Sequence, residues 1–168
     1  AAQDRISKPL TVEKRPHGIL YLRPEDSLGS NELIKSMDEV IPEMRKSMGI
    51  VIDLRNTPSG GTSTVARGIM GIFIGKRLPY QRHQQFETET NTVRDWVEYA
   101  SPRLSAPVTG RLVVLVGKWT GSMGEGLAIG FDGMKRATVV GTEMAGLRGA
   151  IEGLYLPKSG IRVNVPVE

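Results

Sequence analysis

The run Leu112-Val-Val-Leu-Val116, closed at once by Gly117 and followed by helical spacing from Met123 to Phe131, constrains this chain more than any other stretch. Five consecutive apolar residues ending in glycine read as a buried strand. The segment between, Lys118-Trp-Thr-Gly-Ser122-Met-Gly-Glu-Gly126, must then make a strand-to-helix turn walled by small residues. Ser122 falls at the positive end of that helix. A helix N-terminus offers N–H groups with no intrahelical acceptor and favours negative charge, which suits a nucleophile. The same residues, Ser122-Met-Gly-Glu125, also spell a capping box, S-x-x-E, in which the serine does no chemistry. Taken alone the motif reads first as a cap, because capping boxes are common.

A second strand, Gly49-Ile-Val-Ile-Asp53-Leu-Arg55, runs into the dense turn signal Asn56-Thr-Pro-Ser-Gly60-Gly61. Around these two units the pattern predicts a strand at Gly18–Arg23 and one helix from Ser30 or Asn31 to Met44, with a further helix from about Thr64 to Phe73. Ala137–Gly141 reads as another short strand. Ile151–Leu156 and Ile161–Val165 pair as a hairpin across Pro157-Lys-Ser-Gly160. The middle, residues 76–110, is least periodic; it reads as a short strand near Leu78–Gln81 and a helical turn around Val93–Tyr99. Residues 1–16 are polar and aperiodic and read as a tail or linker remnant before a core spanning 17–168, itself expected to be truncated at both ends. Strands alternate with helices up to residue 141, so the fold class is α/β with helices packed on a mixed sheet and a C-terminal β-hairpin.

The 168 residues suit one domain, and 39% hydrophobic content supplies a core. No apolar run approaches the roughly 18 residues of a membrane span. The net charge of +4 is spread over scattered residues, with no basic run interleaved with aromatics, which argues against nucleic acid as a partner. Cysteine is absent and only His17 and His83 represent histidine, so neither a thiol nucleophile nor a His/Cys metal site is expected, and no cofactor is called for. Oligomeric state is not set by any of these features.

Ligands of open α/β sheets gather at the C-terminal ends of the strands, where both glycine-rich turns lie. If the two strands are neighbours, Gly60 and Gly61 can approach the Ser122 hydroxyl, because glycine has no Cβ. The N–H of Gly60 or Gly61, with that of Met123, would then form an oxyanion hole. Asp53 and Arg55 read as a structural pair at a strand end, and Glu125 as a cap partner or anchor of the Ser122 turn.

This pair of motifs resembles the S41 peptidases, which include the C-terminal processing proteases, tricorn protease and retinoid-binding-protein-like members. The resemblance rests on Asp53-Leu-Arg-Asn-Thr-Pro-Ser-Gly-Gly61, with one extra residue in the turn, on Ser122-Met-Gly-Glu125 after a strand, and on Arg136-Ala-Thr-Val-Val-Gly141. It spans roughly Gly18 to Glu168. It implies a ClpP/crotonase-like core of ββα units, Ser122 as the nucleophile of a serine peptidase, a peptide or protein substrate bound alongside the sheet by strand addition, and a periplasmic or secreted location. The chain departs from the family where processing proteases carry a general-base lysine. The matching segment is Ala145-Gly-Leu-Arg148, with Leu147 at the lysine position, and Arg148 holds its proton too tightly to replace it. Tricorn-like members use a histidine from before the first core strand and an acid from further downstream; neither can be placed here, and Pro16-His17-Gly18 does not match that histidine motif. His17 and His83 both read as surface or structural residues, and Lys118 as a solvated turn lysine. The isolated chain is therefore expected to have little peptidase activity. Two other functions stay open: a non-catalytic module binding peptides or apolar ligands, and a crotonase-like acyl-CoA enzyme in which Ser122 is only a cap.

Overall fold

A computed structural model of the protein describes residues 8–25, 27–147 and 149–166. Five strands form one mixed sheet in the order β1-β2-β3-β6-β7. They are β1 (Leu10–Arg15), β2 (Ile19–Pro24), β3 (Gly49–Asp53), β6 (Arg111–Val116) and β7 (Thr138–Gly141). β1 runs antiparallel to β2; β2, β3, β6 and β7 are mutually parallel. The stretch expected to be a tail thus contributes an edge strand. An edge strand pairs on one side only and buries little, here Leu10, so its apolar signal is weak.

The parallel registers align Leu20 with Ile50 and Leu112, and Leu22 with Ile52 and Val114. These rows are buried and join Leu33, Met37, Ile69 and Phe131 of the helices in one core. The alternate row, Tyr21, Val51 and Val113, is only half-buried. Leu112–Val116 is therefore not uniformly buried as its composition suggested; its side chains alternate between the core and a half-covered face.

The helix expected up to Met44 is two helices, α1 (Glu32–Glu39) and α2 (Ile41–Lys46), broken at Val40. Pro42 explains the break: it lacks the N–H that a continuous helix would need at that point. α3 (Ser63–Phe73) and α4 (Met123–Gly133) follow β3 and β6 and meet through an edge-to-face pair of Phe73 and Phe131, ring centroids 5.7 Å apart.

The middle segment corrects the expected helical turn. β4 (Leu78–Glu87) and β5 (Thr92–Ala100) form a long antiparallel hairpin closed through Asn91 at φ +53°. Val93, Trp96 and Val97 have helix-like spacing, but Val93 and Val97 lie on one exposed face and Trp96 on the other. β8 (Ile151–Tyr155) and β9 (Arg162–Pro166) form the expected C-terminal hairpin. Among the described residues, no helix is long and apolar enough to cross a membrane.

Candidate active site

The parallel strands deliver their C-terminal turns to one edge, and side chains lace the turns together. Thr57, after β3, donates its N–H to Trp119 O at 3.1 Å and accepts from Gly121 N–H at 3.2 Å. The hydroxyls of Thr57 and Thr120 both donate to Leu54 O, at 2.8 and 2.7 Å, and both residues are fully buried. The turn after β2 joins in: Leu28 N–H donates to Gly60 O at 2.7 Å, and Leu28 O accepts from Thr62 N–H at 3.0 Å. Thr62 then caps α3 by accepting from Val65 N–H. Thr57, Thr120 and Leu28 were not singled out from the sequence, because two threonines and one leucine in turns carry no periodic signal.

Ser122 occupies φ +49°, ψ −119°. A serine acting only as an N-cap takes extended dihedrals. A residue with a Cβ at positive φ outside the left-handed helical region is strained by about 1–3 kcal/mol, and such strain clusters at functional sites. The capping box nevertheless forms, with Ser122 N–H donating to Glu125 Oε2 at 2.8 Å. Glu125 also accepts from Gly146 N–H at 2.9 Å and Leu147 N–H at 2.8 Å. It is thus a clamp between the start of α4 and the loop after β7. Leu147 sits against the Ser122 turn: a Cβ on Gly121 would lie 3.1 Å from Leu147 Cδ1. Arg148 lies outside the described residues.

Gly60 reaches Ser122, whereas the atoms nearest a Cβ on Gly61 belong to the Leu28 backbone. A Cβ on Gly60 would collide with Ser122 Cβ and lie 2.7 Å from Met123 N, and its φ of +64° favours glycine independently. The two glycines differ as donors. Gly60 N–H closes a turn on Thr57 O at 3.1 Å. Among the described residues no acceptor is recorded for Gly61 N–H, and Met123, first residue of α4, has no intrahelical acceptor either. Gly60 N–H is thus committed within the fold, whereas the N–H groups of Gly61 and Met123 have no backbone acceptor among the described residues.

Ser122, Met123 and Leu147 line an open cleft of about 1060 Å³ that β4–β5 also lines, with Gln81, His83 and Trp96. Gln81 and His83 pair across the hairpin with Glu98 and Trp96, and the His83 and Trp96 rings stack at 5.0 Å. Glu98 accepts from the buried Tyr80 hydroxyl and from Arg67 at 3.1 Å. Burial and the neighbouring Glu98 push the Tyr80 phenol well above its ordinary range.

Asp53 lies apart from the cleft. Its buried carboxylate accepts from Tyr21 Oη at 2.6 Å and from Arg55 Nη2 at 2.7 Å. Burial alone would push its pKa up, but the hydrogen bonds from Arg55 and Tyr21 outweigh burial and hold it below the usual carboxylate range. His17 sits in the Pro16–Gly18 turn between β1 and β2, at the opposite end of the parallel strands. Lys118 lies 5.7 Å from the exposed Trp119 ring, and neither lines the cleft.

The sequence matches the model of Peptidase family S41 over residues 19–168. The chain belongs to peptidase family S41. No curated protein matches it. Among solved structures, it is similar to a protein assigned as a peptidase from Parabacteroides merdae, with TM-score 0.81 and 18% identity over 99% of this chain and 53% of that one. It is similar to mature CPAF, with TM-score 0.75 and 14% identity over 94% of this chain and 44% of that one. A third is the photosystem II D1 C-terminal processing protease, with TM-score 0.65 and 21% identity over 95% of this chain and 42% of that one. At these identities the likeness establishes the S41 fold, and the chain spans about half the length of these structures or less.

Proposed function

We propose that this chain is the nucleophile-bearing core of a serine peptidase that cleaves peptide bonds in a peptide or protein substrate. Ser122 Oγ attacks the scissile carbonyl, and the N–H groups of Met123 and Gly61 hold the oxygen as it becomes negative. The observation that carries the reading is the Ser122 backbone at φ +49°, ψ −119°, with Gly60 packed against its Cβ. That conformation costs stability a cap has no need to give up. Membership of family S41 supports the same reaction class. Glu125 and Asp53 support the turns without entering the chemistry.

A second reading, a binding module without catalysis, is favoured by Leu147, whose apolar side chain lies beside the Ser122 turn where processing proteases have a lysine. A fluorophosphonate probe applied to the full-length protein separates the two. Labelling that disappears in Ser122→Ala, with peptide hydrolysis falling at least about 1000-fold, supports the peptidase. Absence of labelling across the pH range supports the binder.

A further inference from the structure

We infer that Leu147, backed by Met144, is the specificity-determining residue of the cleft and selects substrates with a large apolar side chain next to the scissile bond. The inference rests on the nucleophile reading above. The segment carrying both residues is the loop after β7, yet its backbone is fixed at three points. Ala145 N–H donates to Thr120 O at 2.9 Å, inside the turn that leads to Ser122. Gly146 N–H donates to Glu125 Oε1 at 2.9 Å, and Leu147 N–H to Glu125 Oε2 at 2.8 Å. Ser122 N–H donates to that same Oε2 at 2.8 Å. One carboxylate oxygen therefore holds the backbones of Ser122 and Leu147 side by side.

The Leu147 side chain continues that contact. A Cβ on Gly121 would lie 3.1 Å from its Cδ1, and Gly121 immediately precedes Ser122. Successive Cα atoms are ~3.8 Å apart, which puts this methyl within ~9 Å of the Ser122 Cα. A leucine serving the core would be buried, but Leu147 is 48% exposed and lines the cleft with Ser122. Met144, half-buried against the core, lines the same cleft. The other lining residues of these turns offer little to a substrate side chain. Gly61, Gly126 and Gly146 have none of their own, and Met123 and Glu125 are buried. Glu143 is exposed, so water screens its charge and it discriminates little.

A scissile carbonyl carbon must come within ~3–3.5 Å of Ser122 Oγ to react. Along an extended peptide each residue advances ~3.3 Å and successive side chains point to opposite sides. The residues adjoining the scissile bond are therefore the ones whose side chains reach a methyl this close to the serine. An apolar side chain there takes its own surface and that of Leu147 out of water together. A charged or amide side chain would lose hydration and find no hydrogen-bond partner on Leu147.

The test is kcat/KM of the full-length protein on a peptide series in which each residue flanking the scissile bond is varied through Ala, Leu, Phe, Asn and Lys. Wild type is expected to favour Leu or Phe over Ala at one of the two positions by about tenfold or more, the effect of added methylenes in an apolar subsite. In Leu147→Ala that ratio should fall towards unity. In Leu147→Glu the Lys peptide should overtake the Leu peptide. Both variants keep the backbone N–H that Glu125 holds, and a merely structural fault would slow every peptide alike and leave the ratios as they were. Unchanged ratios in both variants overturn the assignment and leave Ser122 standing as nucleophile. So does a wild type that cleaves the Asn or Lys peptides as fast as the Leu peptide, or one that takes up fluorophosphonate at Ser122 but cleaves none of the series. A wild type that neither cleaves nor labels overturns both readings.

Discussion

β4–β5 and β8–β9 are both antiparallel two-stranded hairpins, but one packs on the domain and the other does not. β4–β5 buries Tyr80 and Ala100, lays Gln81 against α4 and forms a wall of the cleft. In β8–β9 no residue is buried, and Ile151, Leu154, Tyr155, Ile161 and Val163 all face solvent. A lone two-stranded hairpin is marginal in water. The contrast teaches that a clear local hairpin signal and a structural role are separate properties. Pro157-Lys-Ser-Gly160 announces its hairpin within four residues, whereas β4–β5 is held by what it touches elsewhere.

The contrast can be broken most directly with matched tyrosines. Tyr80→Ala is expected to lose about 3 kcal/mol, as removal of a buried ring does, whereas Tyr155→Ala should stay within about 0.5 kcal/mol. Urea denaturation followed by circular dichroism measures both, and equal losses would abolish the distinction. Gly126→Ala probes the contact between hairpin and helix. The new methyl meets Met123 Cε and Gln81 Nε2, both flexible side-chain ends, so stability should change by no more than about 1 kcal/mol. The rate of Ser122 labelling should fall about tenfold as Gln81 is pushed off α4, with the catalytic loss tracking the closeness of that contact. Unchanged labelling would mean the hairpin does not shape the site.

The smallest effect concerns the exposed ion pair of β4–β5. Arg82, with Gln84, holds the Asp95 carboxyl down at about 2. A depressed carboxylate adds stability that is present above its unfolded value of about 3.9 and is lost as pH falls towards the folded one. Because the pair is solvent-exposed, Arg82→Met should leave the melting temperature at pH 7 unresolved from wild type. The same substitution should return Asp95 towards about 3.9 in an NMR titration. A marked drop in melting temperature would show that the hairpin depends on its surface charges rather than on Tyr80 and Gln81.

Much of the fold was legible because its signals are local. Gly49–Asp53 and Arg111–Val116 end in glycine-rich turns, and the helices after them keep helical spacing, so two strand-turn-helix units could be read directly. The edge strand Leu10–Arg15 was missed because it buries so little, and β5 because Val93, Trp96 and Val97 share the spacing of a helix turn. At the site, Ser122, Glu125, Gly60 and Gly61 could be named in advance, since each turn advertises itself. The lacing by Thr57, Thr120 and Leu28 could not, because each bond joins residues whose meeting depends on strand order.

By itself, then, the sequence determined the elements, the two turns at strand ends and the serine at the start of α4, all properties of runs of about ten residues governed by periodicity and turn chemistry. Only the tertiary structure decided that β3 and β6 are neighbours, and that Ser122 takes a backbone conformation foreign to a simple cap. It alone commits Gly60 N–H to a turn and brings His83 and Ser122 into the lining of one cleft. The reason is physical: sheet register and the packing of β4–β5 on α4 join residues distant in the chain, and no local pattern encodes which distant surfaces will meet.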